Sequence, residues 1–229
     1  MKKRVIIIIS VILIVLVMVA VLFSMKKDEV TVTYTEDEIK FKEEYEKVNG
    51  MELSSDYVLK NITIPNDNNV VYLSDDNIVE KLTKGTNVIY FGWADCNWCR
   101  TALPVLLDTL KENNIDTLYY YDFKSLRNAY ENGDEEKSKI YENIISIIGN
   151  DINTYFDEDS PRKDMKKMLV PTVVFIKNGA YIGLHFKTVD SQVNSTDELN
   201  KEQVLELKHS YQSLIDQINA SVCTTDEGC

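Results

Sequence analysis

The chain has 229 residues, 44% hydrophobic and 27% charged, which is ordinary for a globular protein. Its formal net charge is −12. The first 27 residues hold five basic side chains and no acidic one, so the other 202 carry 20 basic against 37 acidic, a net −17, which argues against nucleic acid or an anionic membrane surface as partner.

From Val5 to Phe23 the chain runs through 19 residues in which only Ser10 is polar. A helix needs roughly 20 such residues to cross the hydrocarbon core of a membrane. A cleaved signal peptide is the alternative, but its apolar region is shorter and ends in small residues at the cleavage site. This run is long, lacks that exit, and is followed by no cysteine that could take a lipid. The expectation is an uncleaved anchor over residues 1–27. Lys2, Lys3 and Arg4 precede it and only Lys26 and Lys27 follow. The positive-inside rule then puts the N-terminus in the cytoplasm and the rest of the chain outside the cell membrane.

Residues 28–68 read as a leader and linker. EDEIKFKEEYEKVNG predicts a short helix ending at Gly50, with Ile39, Tyr45 and Val48 sharing a face. YVLKNITI and VVYLS predict strands around the turn PNDNN. SDDNIVEKLTKG predicts a helix capped by Ser74 or Asp75 and stopped at Gly85. NVIYFG reads as a buried strand leading directly into DCNWC.

CNWCRTALPVLLDTLKENN has helical periodicity, with Leu103, Leu106, Leu107 and Leu110 on one side and Pro104 expected to kink it. IDTLYYYD is the next strand. In residues 123–169, DEEKSKIYENIISIIGN predicts a helix with Ile140, Ile144, Ile147 and Ile148 as its stripe, and the polar remainder reads as an insertion. TVVFIKNG and AYIGLHFK form a hairpin turned at Asn178-Gly179. A long helix closes the domain, with Leu199, Leu207, Leu214 and Ile218 as core positions. This order implies an α/β fold, a mixed sheet with helices packed against it, over residues 69–219. Residues 220–229 form a tail carrying Cys223 and Cys229.

The chemistry concentrates at Cys96 and Cys99, three residues apart at a helix start with Trp93 and Trp98 beside them. Unpaired N–H groups and the helix dipole favour a thiolate at Cys96. Cys99, one turn on, can resolve a mixed disulfide formed by Cys96. A structural disulfide or half of a zinc site would use the same spacing. Zinc would need Cys223 and Cys229 as further ligands, with a gap wider than usual, and an extracytoplasmic setting favours disulfides. Cys223 and Cys229 read either as a local disulfide tying the tail or as a second dithiol exchanging with Cys96.

FGWADCNWCRTALP resembles the active-site segment of the thioredoxin superfamily, with a strand, Trp-Ala, CxxC and a following proline. LVPTVVFIKNG is similar to the segment in which that family places a cis-proline facing the CxxC. The resemblance covers roughly residues 70–218. It implies a thioredoxin-like three-layer mixed sheet with a helical insertion, Cys96 and Cys99 as the redox pair, and Pro171 in the cis-proline place. It also implies that the backbone of Val170 pairs with a substrate chain, and Trp93 and Trp98 would shape access. The arrangement of anchor, leader and IYFGWADCNWCR further resembles membrane-anchored thioredoxin-like proteins of Gram-positive bacteria, including bacteriocin transport accessory proteins.

Two departures stand out. Thioredoxins carry a buried aspartate in the strand before CxxC, whereas NVIYFG has no acid and Tyr90 or Phe91 lies nearest that place. Asp95 abuts Cys96, where a like charge would oppose thiolate formation. The expected activity is thiol–disulfide exchange on protein thiols or disulfides, with an unidentified redox partner and no metal or organic cofactor. The alternative is a non-enzymatic accessory protein for peptide export in which CNWC is a static disulfide.

Overall fold

The computed structural model describes residues 33–220, together with Val15 and Met18. The predicted membrane segment 5–23, apart from those two positions, and Cys223 and Cys229 lie outside the described residues. Among the described residues, no helix is long and apolar enough to cross a membrane. The chain divides into two compact units, Met1–Thr33 and Tyr34–Cys229.

The leader forms helix α1 (Glu36–Glu46). Thr35 caps it: its hydroxyl accepts from the Glu38 N–H at 3.1 Å, and its own N–H donates to the Glu38 carboxylate at 2.6 Å. This reciprocal box satisfies two of the donors that a helix start leaves open. Phe41 and Tyr45 form the buried face, whereas Ile39 is exposed, contrary to the expected stripe. Two short strands, β1 (Glu52–Ser54) and β2 (Tyr57–Val58), pair antiparallel.

The main sheet has five strands in the order β3-β5-β4-β6-β7. These are β3 (Val70–Tyr72), β4 (Asn87–Gly92), β5 (Leu118–Asp122), β6 (Thr172–Lys177) and β7 (Ala180–Phe186). β3, β5 and β4 run parallel, β6 runs antiparallel to β4, and β7 runs antiparallel to β6. All of β4 is buried, which suits a central strand covered on both faces. The β6–β7 turn uses Asn178 and Gly179 at φ 50° and 79°, the left-handed pair that a tight hairpin requires.

Helices fill both faces. α2 (Ile78–Thr83) precedes β4, and α3 (Asn97–Glu112) follows it through Pro104. α4 (Phe123–Glu131) and α5 (Glu135–Ile148) follow β5, and α6 (Lys201–Asn219) closes the unit. Strand alternation sorts the core. Val88, Tyr90, Tyr120 and Phe175 pack with α1, α3 and α6. Ile89, Phe91, Tyr121 and Val174 pack with α2, α4 and α5. The last helix buries Leu207, Tyr211, Ile215 and Ile218, with Leu199 and Leu214 only half-buried at its edge.

Several expectations need correction. Residues 59–64 form no strand. Beyond Leu59, side chains take their backbone groups: the Ile62 N–H donates to Asn49 Oδ1 at 3.0 Å and the Ile64 N–H to Glu46 Oε1 at 2.8 Å. The first cap residue of α2 is Asn77 rather than Ser74 or Asp75, because residues 74–77 make a turn closed by Ser74 N–H to Asn77 Oδ1 at 2.8 Å. The region after β5 holds two helices, not one. Asp122 ends the strand and caps α4, its carboxylate accepting from the Lys124 N–H at 3.1 Å, so no loop separates them. In α5 the buried face is Tyr141, Ile144 and Ile148, while Ile140 and Ile147 are half-buried. Residues 152–169 are irregular, with one bridge between Tyr155 and Lys166, a hydrogen bond from the Met168 N–H to the Tyr141 hydroxyl and one from that hydroxyl to the Lys166 carbonyl.

Candidate active site

Cys96 and Cys99 lie where β4 passes into α3. Cys96 is the N-cap residue of α3, and its sulfur accepts from the Cys99 N–H at 3.3 Å. A thiol therefore takes the place usually held by a serine or aspartate oxygen. Both cysteines are free thiols. Cys96 is 8% exposed and Cys99 0%, so only the first is open to an incoming sulfur.

The two thiols are held in opposite protonation preferences. The Cys99 thiol beside it lowers the Cys96 pKa most, and the N–H groups of Cys99 and Trp98 and the Arg127 charge act in the same direction. Burial pushes the Cys99 thiol up, reinforced by its hydrogen bond to Cys96. Asp95, expected to oppose the thiolate, is paired with Lys124. Its neighbour's cation offsets its charge.

β4 pairs with β6 so that Phe91 faces Thr172. This register sets Pro171, immediately before β6, at the same end of the sheet as the loop that carries Cys96. The Val170–Pro171 peptide is cis, and Pro171 is buried. Val170 shares one apolar cluster with both cysteines, Phe91 and Met168, and half-buried Trp93 and Trp98 pack against that cluster. Arg127 of α4 stacks over the Trp93 ring at 4.4 Å. Cys96, Cys99, Trp93, Trp98, Val170 and Pro171 thus gather at one end of the sheet.

Three contributors were not singled out from sequence. Asn97, between the cysteines, is fully buried. Its side chain accepts from the Lys60 N–H at 2.9 Å and donates to the Val58 carbonyl at 2.8 Å, and its own N–H donates to the Tyr57 hydroxyl at 3.0 Å. Arg100 is also fully buried. It donates to the carbonyls of Lys60 at 2.5 Å, Tyr45 at 2.8 Å and Ala94 at 2.9 Å, and to Asn49 Oδ1. Two residues of the CNWCR stretch therefore bind the leader segment to the site, and Arg100 fixes the loop entering Cys96. The third is Arg127. The only signal in the sequence was an asparagine and an arginine interleaved with the cysteines, which local patterning reads as surface residues. Among the described residues, no cluster of histidine, cysteine or acidic side chains could hold a metal.

Parallel and antiparallel strands in one sheet, helices on both faces and CxxC at the N-terminus of the helix after the central strand define a thioredoxin-like architecture. No family model matches the chain, and no curated protein matches it by sequence. Among solved structures, thioredoxin O1 of Arabidopsis thaliana in the oxidized state is similar at 20% identity and a TM-score of 0.36, covering 64% of this chain and 97% of that one. Thioredoxin O2 of the same plant, also oxidized, is similar at 21% identity and a TM-score of 0.35, covering 64% and 95%. The fold assignment rests on the strand order and layers described above.

Proposed function

We propose that this chain is a thiol–disulfide oxidoreductase acting on protein thiols or disulfides outside the cell membrane, to which residues 1–27 anchor it. It resembles in this the membrane-anchored thioredoxin-like proteins of Gram-positive bacteria. The observation that carries the reading is the asymmetry of the two thiols. Cys96 caps a helix, reaches the surface and has its pKa lowered, while Cys99 lies buried with its pKa raised. That pattern suits attack by Cys96 on a substrate sulfur and release by Cys99. A static structural disulfide needs no such difference. Pro171 and the backbone of Val170 would align the substrate chain, and Trp93 and Trp98 would bound the opening. A separate redox partner resets the pair.

The test is thiol trapping in cells. A Cys99→Ser chain should accumulate mixed disulfides through Cys96, and a Cys96→Ser/Cys99→Ser chain should accumulate none. If the trap captures nothing while the double variant supports normal cell function, the oxidoreductase reading is lost and CNWC is structural.

A further inference from the structure

Three arginines lie among the described residues, and two of them are fully engaged. Arg100 donates to four acceptors, and Arg162 donates to the Tyr130 carbonyl at 3.2 Å and to Ser138 Oγ at 3.1 Å. Arg127 differs. It is half-buried, its Nε is enclosed without a hydrogen-bond partner, and no described residue accepts from either Nη. Glu131, one turn along α4, forms no ion pair with it. The chain holds 37 acidic side chains against 25 basic ones, so a shortage of carboxylates does not explain this. An enclosed donor without an acceptor is costly unless another molecule supplies one.

The place of this side chain is fixed. α4 sets Lys124 and Arg127 three positions apart, on one face of the helix. Lys124 pairs with Asp95, the neighbour of Cys96, and Arg127 lies over the Trp93 ring at 4.4 Å. Trp93 packs against the cluster that holds Cys96, Cys99 and Val170. Two cations of one helix thus line the loop that leads into Cys96. The first has its carboxylate within the chain. The second is held flat against an aromatic face at the rim of the redox site, with its N–H groups free. The planar fork of a guanidinium matches a carboxylate, which can take two of its N–H bonds at once.

We infer that Arg127 is a specificity-determining residue, which receives the carboxylate of an aspartate or glutamate beside the reacting cysteine of a substrate chain. The inference rests on the redox reading of Cys96 proposed above. The net charge of −12 works against an acidic partner at long range. Recognition is therefore of one carboxylate at contact distance, not of an acidic surface.

The experiment uses the full chain in detergent, reduced and carrying Cys223→Ser and Cys229→Ser. The substrates are peptides with one cysteine held as a pyridyl disulfide, whose uncharged leaving group does not compete for the cation. They differ in a single residue beside the cysteine, which is Asp, Asn or Lys, placed on either side in turn. The Cys96 thiolate attacks the peptide sulfur. The Cys96–peptide bond forms, the peptide–pyridyl S–S bond breaks, and the electron pair leaves on the pyridyl sulfur, which takes up a proton and absorbs as thiopyridone. Each rate is divided by that of the same peptide with mercaptoethanol, which removes the intrinsic effect of the neighbouring charge.

The parent should prefer Asp to Asn by about fivefold or more on one side of the cysteine, with Lys slowest. Arg127→Gln should bring the Asp-to-Asn ratio close to one. A change in the reactivity of Cys96 slows all peptides alike and leaves that ratio unmoved, as does a merely structural role. Arg127→Lys keeps the charge without the fork and should give an intermediate ratio, and it carries the test if Arg127→Gln does not fold. A parent without a preference for Asp overturns the inference, and so does a preference that survives in Arg127→Gln. If the parent releases thiopyridone from every peptide no faster than a Cys96→Ser/Cys99→Ser chain, the redox reading itself fails and the inference falls with it.

Discussion

Each face of the sheet places an arginine beside the thiols, and the two are held by opposite means. Arg100, on the side of α1 and α3, is fully buried and donates to three backbone carbonyls and one side-chain amide. No carboxylate is among these acceptors. Arg127, on the side of α4, is half-buried, lies over the Trp93 ring, and has a buried Nε without a hydrogen-bond partner. Burial lowers the pKa of each, and the two cysteines help to keep both charged. The same cation therefore does different work on the two faces. One is a structural hub whose charge also reaches the thiols, and the other is mainly an electrostatic neighbour of Cys96.

The largest effect should follow from breaking the hub. Arg100→Met removes the partners of three carbonyls and of Asn49, and each buried acceptor left alone costs about 1–3 kcal/mol. Urea unfolding of Arg100→Met should show a loss of at least about 1–3 kcal/mol. Arg100→Lys should also be destabilised, because a single ammonium cannot reproduce the planar fork. A loss under about 1 kcal/mol for the methionine variant would mean that the network is ornamental.

A second effect sharpens the contrast between the thiols themselves. In the reduced protein the folded pKa of Cys99 is raised above its unfolded value of about 8.5. As pH rises through that value the unfolded chain gives up the proton and the folded chain keeps it. The unfolded state then holds fewer protons, so stability falls with rising pH. Cys96 has the opposite sign: its folded pKa is lowered, so its contribution is present above the unfolded value and is lost as pH falls through the folded one. Unfolding free energies of the reduced chain should rise on the approach to about pH 8.5 and decline beyond it. Cys99→Ala should flatten the declining limb and Cys96→Ala the rising one. Identical pH slopes in parent and Cys99→Ala proteins would contradict the assigned environments.

What was readable in advance follows from where each signal lives. The β6–β7 hairpin announced itself because Asn178-Gly179 is local turn chemistry, and β4 because an unbroken apolar run needs no partner to be recognised. The helix after CxxC showed its leucine stripe for the same reason. Residues 59–64 misled because Leu59, Ile62 and Ile64 are apolar and buried as in a strand. The backbone groups of Lys60, Ile62 and Ile64 bond to side chains of Glu46, Asn49, Asn97 and Arg100, between 13 and 40 positions away. No local pattern records that. Helix α4 was missed because Asp122 serves both as the end of β5 and as the cap, leaving no punctuation. The cysteines were legible as a pair, but the buried arginine that braces them was not, since an arginine in sequence reads as surface.

The smallest effect is the sharpest probe of the other face. Arg127→Gln removes the cation over Trp93 and a positive charge that favours the Cys96 thiolate. Stability should change by no more than about 1 kcal/mol, the scale of a partly exposed cation–π contact. The Cys96 pKa should nevertheless rise, because the charge acts on the thiolate through space without a hydrogen bond. Iodoacetamide alkylation of Cys96 followed against pH separates the two quantities, since buried Cys99 is shielded from the reagent. A large loss of stability with an unmoved alkylation profile would make Arg127 a second structural hub and remove the difference between the faces. A shifted profile with little change in stability would keep it, because the Arg127 charge would then act on the thiol without also holding the fold.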